Sequence, residues 1–158
     1  MEAPLRYREL VRLRAQEIGH DNRIGYLTGS LLPAQAYYKA QQLRSLLRQQ
    51  VLQALEKVDV LVQPTVGKVA QKIEPDPLVR SKEQANRLSW LLTLPFSLAN
   101  IPALSIPCGF LPLASEQGGK ELPIGLQIAG RPFDEERVLK VAYAYERHTP
   151  WHARRPPL

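Results

Sequence analysis

The chain is 158 residues long, 44% hydrophobic and 23% charged, with a formal net charge of +6. That length suits one domain with a sizeable core, and the balance is that of a soluble globular protein. No apolar run is long enough to span a bilayer, and segment 1–19 is too charged for a secretory signal. Cys108 is the lone cysteine, which excludes an internal disulfide and fits a reducing, cytoplasmic compartment. The positive charge is dispersed over Arg6, Arg8, Arg12, Arg14, Arg44, Arg48, Arg154 and Arg155, with no interleaved aromatic run. It therefore speaks to solubility, and neither nucleic acid nor membrane is expected as a partner.

In chain order, residues 5–18 place Leu5, Leu10, Val11 and Ile18 among polar residues and predict an amphipathic helix ended by Gly19. Residues 19–30, with Gly25 and Gly29, read as a connector, so 1–30 form an N-terminal helix and connector. Ser30 and Pro33 then mark a helix start. A long helix is predicted over 33–57, where Tyr37, Ala40, Arg44, Leu47, Val51 and Leu55 recur at steps of three and four and share one face. Arg44 lies inside that apolar stripe. A guanidinium there needs a carboxylate, phosphate or carbonyl partner, or it snorkels to water; a structural and a ligand-binding role both remain open.

The run 58–62, Val-Asp-Val-Leu-Val, predicts a buried strand stopping at Pro64, with Asp59 capping or pairing near its start. Residues 67–77 read as a loop and 81–92 as a helix in which Trp90 packs. The stretch 93–130 organises the chain. Its apolar runs 103–106 and 124–128 are introduced by Pro102 and Pro123 and followed by Gly109 and Gly130, which predicts two strands joined by a polar loop over 111–120. Asp134 opens a last helix, with Glu135 and Glu136 in its first turn and Val138, Leu139, Ala142 and Tyr145 on its apolar face. Pro150 ends it, and 151–158 read as an extended tail beyond the 31–150 segment. The fold class is α/β, a sheet flanked by helices.

Isolated chemical signals are weak. Cys108 closes an apolar strand with no histidine near it in sequence and reads as a structural thiol. His148 and His152 have i, i+4 spacing, but Pro150 interrupts the helix between them and no further ligand is evident, so no metal is assigned. The pair His20-Asp21 reads as solvated. Gly118-Gly119-Lys120 lacks the strand, helix and hydroxyl residue of a phosphate loop.

The positions Thr93, Pro95, Pro102, Ala103, Ser105, Pro107 and Gly109, then Leu122, Pro123, Gly125, Gln127 and Gly130, resemble the C-terminal signature of the amidase signature family: F-T-x-P-x-N-x-x-G-x-P-A-x-S-x-P-x-G followed by L-P-x-G-x-Q-x-x-G. Phe133-Asp134-Glu135, Leu139 and Ala142 continue the match. Upstream, Tyr37-x-x-Ala40-x-x-x-Arg44 resembles the family's Y-x-x-A-x-x-x-R, and Asp59, Val60, Leu61, Pro64 and Thr65 resemble its D-V-L-x-x-P-T. Ser97 and Asn100 depart from the pattern, standing where the family often has Asn and usually has Gly.

The resemblance implies the C-terminal portion of an amidase signature fold: part of a mixed central sheet and one wall of a substrate pocket. It implies hydrolysis of a carboxamide C–N bond through an acyl-serine intermediate, with no metal or organic cofactor. The family's serine nucleophile is activated by a lysine through a second serine held in a cis peptide, in a Gly- and Ser-rich region that has no counterpart here, so no catalytic residue is carried over. In the glutamine-using branch the arginine matched by Arg44 looks like a contact for the substrate α-carboxylate, so Arg44 is the expected substrate-orienting residue; Tyr37 and Tyr38 are added as candidate pocket walls. That branch also has an acid for the substrate amine where this chain has Trp90, an indole that cannot neutralise an ammonium, which favours a simpler amide. The expected partners are a small amide substrate and either an N-terminal amidase half on another chain or a second copy. The alternative expectations are a non-catalytic binding or assembly module, and the glutamine-hydrolysing component of a tRNA-dependent amidotransferase.

Overall fold

The structure, a computed structural model, describes residues 2–70, 91–112 and 121–154. The predicted 67–77 loop, the 81–92 helix with Trp90, and the 111–120 loop fall mostly or wholly outside the described residues. The described chain divides into two compact units, 2–43 and 44–70 with 91–112 and 121–154.

The first unit is helical. Where one helix is predicted over 5–18 there are two short ones, α1 (Glu2–Arg6) and α2 (Arg8–Leu13), followed by a single 3-10 turn at Ala15–Glu17. The break falls at Tyr7, whose ring stacks on Tyr26 with centroids 5.6 Å apart. The predicted connector is itself a helix, α3 (His20–Ser30), with Gly25 in its middle. Glycine lowers helix propensity by about 1 kcal/mol relative to alanine, a small deficit that one aromatic stack can offset. Ser30 does not cap the next helix; its hydroxyl donates back to the Leu27 carbonyl at 2.6 Å. The long helix follows as α4 (Ala34–Glu56), with the Pro33 carbonyl accepting from the Ala36 and Tyr37 amides.

The second unit is built on a three-stranded sheet ordered β1–β3–β2: β1 (Leu61–Pro64), β2 (Ala103–Pro112) and β3 (Glu121–Ala129). Both pairings are antiparallel. The short helix α5 (Leu94–Ala99) precedes β2, and α6 (Glu135–His148) follows β3. β1 begins three residues later than its composition suggests. The cause is Arg131, whose guanidinium grips the Leu55 carbonyl at 2.9 and 3.1 Å and the Val58 carbonyl at 3.1 Å, holding the end of α4 and the first valine off the sheet.

The hydrogen-bond alternation explains why β2 and β3 run longer than predicted. The Thr65 amide donates to Gly125 and the Gly130 amide to Pro102, so odd residues of β3 bond toward β1 and even ones toward β2. Pro64, opposite Leu126, and Pro107 and Pro112, opposite Gly125 and Glu121, then turn their N atoms away from β3. Pro123, inside β3 rather than at its first position, faces the β1 side beyond the end of that strand. Each proline stands where the ladder requires no N–H. A bulge between Pro107 and Gly109 shifts the register by one.

One face of the sheet packs against α6. Ile106, Ile128, Val138 and Ala142 form its buried cluster, with Leu104, Leu126, Val141 and Tyr145 around them. Gly130 permits this packing, because a Cβ there would lie 2.5 Å from Val138 Cγ2. Asp134 opens α6 as predicted; its carboxylate accepts from Arg137 Nε at 2.7 Å, and Arg137 Nη1 reaches Asp59 at 2.6 Å, the expected pairing near β1. The predicted extended tail starts as a 3-10 turn, Trp151–Ala153, with Trp151 tilted against Phe110 at 6.2 Å.

Candidate substrate-orienting site

Arg44 enters from the middle of α4 and meets the end of α5. Its Nε donates to the Leu98 carbonyl at 2.8 Å. Of the partners that its place in an apolar stripe demands, the structure supplies a carbonyl. One turn further along the same face of α4, Arg48 Nη1 donates to the carbonyls of Ala99 and of Asn100, the latter at 3.2 Å.

These contacts complete a backbone inventory. A helix leaves its last four carbonyls without intrahelical partners. In α5 the Phe96 and Ser97 carbonyls accept from the Asn100 amide, and Phe96 also accepts from Ile101. Leu98 is taken by Arg44, and Ala99 by Arg48. The turn works because Asn100 adopts φ 54°, ψ 57°, the left-handed region. The family pattern usually has glycine at this position, and asparagine is the commonest non-glycine residue to tolerate it. This departure from the pattern therefore preserves the backbone geometry.

Tyr37 and Tyr38, the other two predicted substrate contacts, lie earlier on α4 in the first unit and are 38% and 68% exposed. The described hydrogen bond of Arg44 involves neither of them. Arg48 escapes a reading of the sequence, although its spacing four residues beyond Arg44 places both guanidinium stems on one helix face.

A second polar group lies on the sheet face opposite α6, and it too escapes the sequence. Gln63 and Gln127 are register partners; Gln63 Nε2 donates to the Leu92 carbonyl and, at 3.2 Å, to Gln127 Oε1. Next to them the hydroxyls of Thr65 and Ser105 meet at 2.5 Å across the middle strand. Gly125 makes that bridge possible, since a Cβ there would fall 2.6 Å from Ser105 Oγ and 2.7 Å from Thr65 Oγ1. The available signal is the period of two: Gln63 on β1 and Thr65 just beyond its end alternate with apolar residues.

Cys108 donates its S–H toward the Ile124 carbonyl at 3.7 Å, and burial pushes its thiol up, which disfavours the nucleophilic thiolate. His148 and His152 line one surface cleft of about 560 Å³, with His148 Nδ1 bonded to the Ala144 carbonyl at 2.7 Å. Among the described residues no group of three His, Cys, Asp or Glu side chains could hold a metal ion. No helix among them is long and apolar enough to cross a membrane.

An antiparallel sheet packed on one face by α6, with prolines set where its ladder needs no N–H, and an arginine-bearing helix are the described features of this part of an amidase fold. The amidase family model matches residues 10–139, and the chain belongs to that family. Among its relatives, the glutamyl-tRNA(Gln) amidotransferase A subunit of Synechococcus sp. (strain JA-3-3Ab) is 42% identical over 156 residues, covering 93% of this chain and 28% of that protein. The protein of the same name from Thermodesulfovibrio yellowstonii is 47% identical over 129 residues, covering 78% and 24%. The crystal structure of the Thermotoga maritima counterpart superposes with a TM-score of 0.58 at 29% identity, over 84% of this chain and 28% of that one. A crystal structure of an amidase gives a TM-score of 0.70 at 24% identity, over 93% and 32%, a likeness of fold. The chain thus spans under a third of the length of these relatives.

Proposed function

We propose that this chain contributes the substrate-orienting part of an amidase that hydrolyses carboxamide C–N bonds through an acyl-serine intermediate, with the Ser–Ser–Lys machinery lying outside these 158 residues. The observation that carries the reading is family membership over a span that is 28% of a relative's length. Arg44 is the substrate contact: with Nε held by Leu98, its two Nη nitrogens form the end-on fork for a carboxylate, and Tyr37 and Tyr38 are pocket walls. The chain is inactive alone and works with the remainder of the fold, on another chain or as part of a larger whole. Supporting this, Phe133 is 95% exposed while held at φ 63°, an aromatic side chain in strained backbone with its ring in water.

A second reading, hydrolysis of glutamine, is favoured by the name shared by the relatives at 42% and 47% identity. Trp90, standing where that branch has an acid, weighs toward an amide without an ammonium. The test is ammonia release by the purified chain from a panel of carboxamides that includes glutamine and glutaramate, with Arg44→Ala alongside. No release is expected. Turnover that Arg44→Ala weakens would place a nucleophile within this chain and overturn the claim of missing machinery. A compact, stable monomer by light scattering would count against reliance on a partner.

A further inference from the structure

We infer that Arg48 is a positioning residue for Arg44, and that the two guanidinium groups with the left-handed turn at Asn100 act as one device fixing the carboxylate fork. This rests on the reading of Arg44 as the substrate contact. An arginine side chain carries about 2 kcal/mol of rotamer entropy, so a fork that must meet a carboxylate in one orientation gains from being held beforehand. The hold on Arg44 is the Leu98 carbonyl, 2.8 Å from Nε. Leu98 is next to last in a six-residue helix, too short to keep its own end rigid. What fixes that end is Arg48, which takes the next two carbonyls, Ala99 and Asn100, and so sets the peptide planes that follow Leu98.

Two arginines on one helix end have a division of labour. Arg48 donates through Nη1 to both the Ala99 and the Asn100 carbonyls, tying the turn to α4. Arg44 donates through Nε to Leu98, one carbonyl earlier in the chain. Removing Arg48 leaves Arg44 in place but lets its partner carbonyl wander, so the loss falls on orientation rather than on charge.

The test reads the Arg44 Nε–H resonance by NMR, first with no ligand. Arg48→Ala is expected to speed its solvent exchange about tenfold, and Arg48→Lys, which keeps a charged donor for the same carbonyls, to restore most of the protection. Arg48→Gln serves as a milder break should the alanine variant disturb the whole turn. An unchanged exchange rate in both Arg48→Ala and Arg48→Gln overturns the inference. A titration with glutaramate, against butanamide as the probe lacking a carboxylate, then separates the two claims. A shift of Arg44 Nε by glutaramate alone, weakened about tenfold in Arg48→Ala, supports both. An equal response in wild type and Arg48→Ala overturns the positioning role. No response in wild type, with exchange still sensitive to Arg48, overturns the substrate role of Arg44 and leaves Arg48 as a structural clamp.

Discussion

The two units of the chain treat their apolar residues in opposite ways. In the second, Ile106, Ile128, Val138 and Ala142 are buried between a sheet and a helix, and every proline of the strands stands where the ladder has no use for an N–H. In the first, α2, the 3-10 turn and α3 bury no residue at all, and Leu5, Leu13, Ile24, Leu27 and Leu31 remain exposed. The first unit is helical by local propensity and the Tyr7–Tyr26 stack; the second is folded by burial. Among the described residues of the first unit, α2, the 3-10 turn and α3 thus offer apolar side chains without burying any of them.

The sharpest way to break this contrast is to truncate one side chain in each unit. Ile128 is 1% exposed at the centre of the sheet, and Ile128→Ala should cost about 3 kcal/mol through lost transfer energy and the cavity left behind. Leu27, 48% exposed on α3, should respond to alanine by no more than about 0.5 kcal/mol. Urea unfolding followed by circular dichroism reads both. Equal losses would mean that the first unit has a core after all.

Backbone substitutions come next in size. Gly125→Ala would drive a Cβ into the Thr65–Ser105 hydroxyl bridge and should destabilise by about 2 kcal/mol, a loss that Ser105→Gly in the same chain partly relieves. Asn100→Ala places an ordinary residue at φ 54° and should cost about 1 kcal/mol beyond the asparagine, whereas Asn100→Gly should be neutral or stabilising. The thermal midpoints of the pair decide the point. If alanine and glycine behave alike, the left-handed turn is not a constraint.

How much of this is legible in the sequence follows the same division. The long helix, the strand pair after Pro102 and the last helix are visible because buried faces impose their period on the residues. Residues 19–30 suggest a connector because their glycines speak louder than the tyrosine stack that holds α3, a contact between residues far apart in sequence with no local signal. The predicted strands are too short because proline looks like a boundary; whether it is one depends on which way its N atom faces, and that is a property of register. The need of Arg44 for a partner is legible, but the partner, a carbonyl 54 residues away, is not, and Arg48 draws no attention for want of an apolar neighbour pattern of its own.

The smallest effect concerns Cys108, at the bulge where β2 slips its register. Burial holds its thiol above the ordinary cysteine value, so the folded chain binds this proton more tightly than the unfolded chain does. The sign follows: the stabilisation is fully present below the unfolded thiol pKa and is lost as pH rises through the folded one. The stability difference between wild type and Cys108→Ala should therefore be constant near neutrality and shrink as pH rises through and above the ordinary cysteine range. Alkylation by iodoacetamide should show the same displacement, with its rate rising at higher pH than for free cysteine. A thiol that reacts at neutral pH as fast as free cysteine would show that the β2 bulge opens to solvent, and the second unit would then share the loose packing of the first.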